Sequence, residues 1–167
     1  MNLIGSVIAA LAMAGVAGTK NDAETAFAHF KAMVGDWEGA SGDGTKIRHK
    51  YTLVGGGSVV MEESWFDAHK GDLMVTMYSV SQGKLILTHY CVAKNQPRLW
   101  ASSIREDGAK IEFTFMDATG IANRDQGHMD KARYEFFGPD RYKTKWTWYA
   151  KGKEQWMEEF ELRRVKK

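Results

Sequence analysis

The 167-residue chain is short of cysteine, proline and net charge. Cys91 is the single cysteine, so no disulfide can form within the chain and stability has to come from a packed core. Only two prolines occur, Pro97 and Pro139, and both fall in turns or at a strand start, leaving every strand-like segment uninterrupted. A formal charge of +2, with no Lys/Arg stripe interleaved with aromatics, argues against nucleic acid as a partner. The closing RRVKK of residues 163–167 reads as a solvated end. Charged residues at 26% and hydrophobic ones at 44% match a globular chain and argue against disorder. The length suits one domain.

Charge is missing altogether from residues 3–18, LIGSVIAALAMAGVAG. The run is shorter than the roughly 20 residues that span a bilayer, and it ends in small residues. It reads as a signal peptide over residues 1–18, leaving a mature domain of 19–167 that is periplasmic or secreted and has no stable membrane insertion. The opening Met1-Asn2 supplies no Lys or Arg, so an uncleaved anchor or apolar helix is the alternative.

Helix periodicity occurs once, over 21–34, with Asn21 as N-cap, Glu24 completing a capping box, and Ala23, Phe27, Phe30 and Val34 on one stripe. His29 lies off that stripe and is expected in solvent. From Gly35 onward the pattern alternates. Strands are expected near 36–41, 45–54, 58–66, 72–80, 84–93, 97–104, 109–117, 127–137, 141–150 and 154–165, separated by hairpin chemistry such as SGDG, GGG, SQG, REDG and KGK. The fold class is therefore all-β: an antiparallel up-and-down barrel of about ten strands with one N-terminal helix, closure removing the exposed edges of a flat sheet. A two-sheet sandwich is the alternative.

Gly35, Asp36, Trp37, Glu38 and Gly39 form a G-x-W-x-G motif just after the helix. It resembles the calycin superfamily of lipocalins and fatty-acid-binding proteins, and most of all the nitrobindin-type barrels. LTHYCVAKNQPRLW and the later GHM are similar to an uncharacterised family of exported bacterial barrel proteins. The resemblance implies a calycin-like barrel with an interior cavity and Trp37 plugging its closed end. Nitrobindin-type barrels bind haem through a histidine near the C-terminus, whereas the last histidine here is His128. That ligand has no counterpart, and no cofactor is expected.

Alternation directs His49, Tyr51, His89, Cys91, His128, Tyr134, Tyr142, Trp146, Trp148, Trp156 and Glu158 inward. Such a lumen suits a small apolar or amphipathic ligand, with His49, Tyr51, His89, His128, Tyr134, Trp146, Trp148 and Glu158 as contacts and Arg98 as a clamp for an anionic head group at the mouth. The alternative is a filled structural or protein-binding barrel, in which these aromatics pack the core and His89 bonds to a tyrosine or to Glu158. An enzyme using His89 and Glu158 as acid and base is the rival from another class. Since Glu62 and Glu63 adjoin, one of them must face inward. A metal site would need His49, His89 and His128 to converge, and no short ligand spacing favours this; a Cys91/His89 nucleophile pair has weaker support still. No catalytic residue and no metal ligand is assigned.

Overall fold

A computed structural model describes residues 22–166, giving the backbone but not the side chains of 156–158. The expected signal peptide, Asn21 and the side chains of Trp156 and Glu158 lie outside the described residues. Helix α1 (Asp22–Ala32) precedes strands β1 (Gly35–Ser41), β2 (Lys46–Val54), β3 (Val59–Phe66), β4 (Leu73–Ser81), β5 (Lys84–Tyr90), β6 (Gln96–Arg105), β7 (Lys110–Thr119), β8 (His128–Phe136), β9 (Arg141–Ala150) and β10 (Lys153–Arg164). Each strand pairs antiparallel with its sequence neighbours, and β1 also pairs with β10, closing a ten-stranded barrel. This single closed sheet replaces the sandwich alternative.

Strand β2 shows why the alternation was readable: Ile47, His49 and Tyr51 are buried while Lys46, Arg48 and Lys50 face water. Closure depends on the second glycine of the motif. A Cβ on Gly39 would lie 2.1 Å from the Glu161 carbonyl oxygen, so only glycine lets β1 approach β10 this closely.

Helix α1 packs across one end of the barrel, against β4, β5 and β6. Ala23, Ala26, Phe27 and Phe30 are buried, and the Phe30 ring stacks on Tyr78 at 4.1 Å between centroids. Trp37 is buried at this end, its Nε1 donating to the Met33 carbonyl at 2.7 Å. Two details differ from the sequence reading. The helix stops at Ala32, so Val34 leaves the apolar stripe and is 44% exposed, while Met33 is buried in its stead. His29 is half-buried, not solvated: its Nε2–H donates to the Asp107 carbonyl at 2.9 Å and its ring stacks on Phe136.

That contact brings the β6–β7 turn onto the helix. Gly108 has φ +85°, and a Cβ there would come within 2.8 Å of the Ala26 Cα. Gly108→Ala is expected to cost about 1–3 kcal/mol, because it adds left-handed strain to a backbone clash. The midpoint of urea unfolding measures this.

Candidate functional site

Cross-strand register sets the side chains in tiers. One tier runs Tyr51, Glu62, Thr76, His89 across β2, β3, β4 and β5, each directly opposite the next. The tier nearer the helix is apolar, running Val60, Tyr78, Leu87 and Leu99. The inward side of the barrel therefore has a filled half under α1 and a polar layer above it.

Glu62 is the hub of that layer. Its Oε2 accepts hydrogen bonds from the Tyr51 hydroxyl at 2.7 Å and the Tyr78 hydroxyl at 2.6 Å, and its Oε1 accepts from Ser64 Oγ at 2.7 Å. Hydrogen counting then orders the rest of the network. Tyr51 and Tyr78 each own one hydroxyl hydrogen, and both hydrogens go to the carboxylate. Tyr134 must therefore donate to Tyr78 at 2.7 Å, and Tyr142 to Tyr51 at 2.9 Å. His49 Nδ1–H in turn donates to Tyr142 at 2.6 Å, which leaves His49 Nε2 as a bare acceptor 3.9 Å from Glu62 Oε1.

Burial raises the Glu62 carboxyl, but the His49 ring and the hydrogen bonds from Tyr78, Ser64 and Tyr51 outweigh it, so it lies below the usual carboxylate value and is ionised at neutral pH. Burial lowers His49 despite the pull of Glu62, keeping the imidazole neutral. The four tyrosines are pushed well above their ordinary value, first by burial and next by the Glu62 charge.

Beside this layer, in the half of the barrel away from α1, lies a cavity of about 50 Å³. Its polar wall is His49, Glu62, Ser64, His89 and Thr144. Its apolar wall is Ile47, Phe66, Met74, Met129, Trp146 and Phe160. His89 is 5% exposed; its Nδ1 bonds Thr76 Oγ1 at 2.9 Å, and its Nε2 is buried with no partner among the described residues. The Trp146 ring packs beside it at 5.1 Å. Burial drives the His89 pKa down to about 4, against an upward pull from Glu62, so the ring is neutral.

Of the residues singled out in the sequence, His49, His89 and Trp146 meet at this cavity. Tyr51 and Tyr134 belong to the hydrogen-bonded layer and are fully buried. Among the described residues the partner of His89 is Thr76 and not a tyrosine, while the side chain of Glu158, the other expected partner, lies outside them.

His128 does not join the other two. A bulge between Met129 and Lys131 interrupts the β8 alternation, and its ring sits between Phe115 and Tyr149. There Nδ1–H donates to the Gln126 carbonyl at 2.7 Å and Nε2 accepts from Arg124 at 3.0 Å, while Arg124 also pairs with Asp130. This cluster fastens the β7–β8 loop. Trp148 is half-buried with its ring against Gly127 in that loop, away from the cavity wall.

Arg98 faces outward, half-exposed, and holds Asp117 through two hydrogen bonds, so its charge is already matched. Arg98→Ala is expected to change stability by less than about 1 kcal/mol, as exposed pairs usually do. Equilibrium unfolding checks this. Cys91 is half-buried in the β5–β6 turn, outside the cavity wall, where burial raises its thiol pKa. Among the described residues no three His, Cys, Asp or Glu side chains are placed to hold a metal ion.

Thr76 and Tyr78 were not among the sequence candidates, and Glu62 entered only as one of two adjoining glutamates. The GGG turn fixes the β2–β3 register that sets Tyr51 opposite Glu62, and this spacing was the available signal.

No family model matches the chain, and no curated protein does. Solved structures that share the fold include two proteins. One is Rv2717c from M. tuberculosis, 14% identical, covering 84% of this chain and 98% of its own, with a TM-score of 0.56. The other is a protein of unknown function from the DUF3598 family of Nostoc punctiforme, 12% identical, with a TM-score of 0.51. That alignment covers 81% of this chain, which spans about half (49%) of the longer protein. The likeness is one of fold.

Haem, which the nitrobindin-type resemblance brings into question, does not fit these residues. The cavity offers about 50 Å³, against the roughly 300 Å³ at which ordinary small-molecule pockets begin, and a macrocycle needs more than that. Trp146 already packs against His89, whose Nε2 is the buried ring nitrogen without a partner among the described residues.

Proposed function

We propose that the chain is an exported, calycin-like barrel that binds a small, mostly apolar ligand by its polar end, with His89 as the anchor. The observation that carries this reading is the buried His89 Nε2, without a partner among the described residues, at the wall of a cavity whose remaining surface is largely apolar. A buried ring nitrogen left without a hydrogen bond costs on the order of 1–3 kcal/mol, so an occupant that supplies one binds with a gain. A volume of about 50 Å³ takes the head of a ligand and not its whole body. Apolar atoms would lie among Phe66, Met74, Met129 and Phe160, where two flexible methionines can adapt to different shapes. The uncharged run of residues 3–18 supports export. N-terminal sequencing of the mature protein should begin near Thr19; Met1 retained on membrane-bound protein would contradict that part.

The small volume favours a second reading, in which the barrel is filled and water alone satisfies His89. One variant separates the two. His89→Phe fills the ring's space and leaves only the Thr76 hydroxyl without a partner, so the barrel should fold. Melting curves of wild type and variant, each with and without an environment-sensitive apolar dye, give the result. A dye-induced shift lost in the variant supports binding at His89, whereas equal shifts in both proteins, or none in either, leave the filled barrel.

A further inference from the structure

The cavity's polar atoms have a common character. Glu62 is an anion receiving three hydroxyl hydrogen bonds, and His49 Nε2 is a bare lone pair because its Nδ1–H is committed to Tyr142. Both residues line the same cavity, 3.9 Å apart across the Nε2–Oε1 gap. Among the described residues no lysine or arginine lines it, and Arg98, the nearest candidate in the sequence for an anion clamp, faces outward onto Asp117. A negatively charged head group would enter beside a fixed carboxylate with no cation to meet it, at a depth where solvent screening is weak. An uncharged head carrying an O–H or N–H meets two waiting acceptors.

We infer that the site selects a neutral hydrogen-bond donor, such as an alcohol or a primary amide on a short apolar chain, and rejects the corresponding carboxylate. This rests on the ligand-binding reading above and adds the chemistry of the head group. Selection comes from Glu62 and His49, and His89 adds the anchoring contact common to all ligands.

Matched probes test it on the intact protein. Hexanol, hexanamide and hexanoate share a chain and differ at the head, and each is titrated at pH 7 while the methyl resonances of Met74 and Met129 report occupancy at the cavity wall. Hexanol and hexanamide should bind at least tenfold more tightly than hexanoate. Hexanoate binding as well as, or better than, the neutral pair overturns the inference and leaves the ligand site standing. No movement of either methyl with any probe overturns both. The same titrations on His89→Phe keep the two claims apart: all three affinities should fall while the order among them persists. Neutral probes binding the variant as tightly as wild type would overturn the anchoring role and leave head-group selection intact.

Discussion

Glu62→Gln is expected to destabilise the protein by about 2–4 kcal/mol, although it changes neither size nor shape. The carboxylate now accepts three hydroxyl hydrogen bonds, two on Oε2 and one on Oε1. A carboxamide has one acceptor oxygen, and its NH₂ group brings two further donors into a ring already made of donors. At least one of Tyr51, Tyr78 and Ser64 is then left pointing at an N–H in the fully buried layer. The directed chains behind them, Tyr134 through Tyr78 and His49 through Tyr142 and Tyr51, lose the anion that sets their order. Urea unfolding of wild type and variant at pH 7 measures the cost. A change smaller than about 1 kcal/mol would mean that Glu62 is protonated in the folded protein, or that the network reorders freely.

Acid should weaken the fold well before the carboxylates titrate. His89 has a folded pKa of about 4 against 6.5 for the free side chain, so between those values the unfolded chain binds a proton that the folded chain refuses. Its contribution is complete above pH 6.5, falls as the pH drops through that window, and levels off below about 4. Two and a half pKa units correspond to about 3 kcal/mol. His49 is lowered too and acts in the same direction. Glu62 follows at lower pH: its folded pKa is depressed, so its contribution is present above the unfolded value of 4.5 and is lost as the pH falls through the folded one. Urea midpoints of ligand-free protein between pH 7 and pH 4 should therefore fall steeply for wild type, and by about 3 kcal/mol less for His89→Phe. Parallel curves for the two proteins would show that His89 takes up its proton in the folded state.

The barrel was legible because its signal is periodic and redundant. Over its first six residues β2 alternates charged groups outward (Lys46, Arg48, Lys50) with buried Ile47, His49 and Tyr51, and most turns are built of glycine with polar residues, so one misread residue leaves the architecture unchanged. The candidate site was legible only where alternation survives. His49 and His89 lie on unbroken strands and reach the cavity as the period-2 rule requires. His128 lies beyond a bulge in β8, and a bulge leaves no mark that alternation can detect. Arg98 sits at a bulge in β6 and faces outward. Glu62 was visible as one of two adjoining glutamates. Its role depends on hydroxyls from β2 and β4 converging on it, and those partners come from barrel closure and register, not from its neighbours in the chain. Val34 left the helical stripe because α1 ends two residues earlier than the pattern suggests.

If His89 holds a ligand inside the barrel, native mass spectrometry of the wild-type protein and of His89→Phe, each purified from the organism that makes it, will show the difference. Wild type should carry a small noncovalent adduct that is released on denaturation, and His89→Phe should run at its bare mass. A wild-type protein without an adduct, or the same adduct on both proteins, would contradict it.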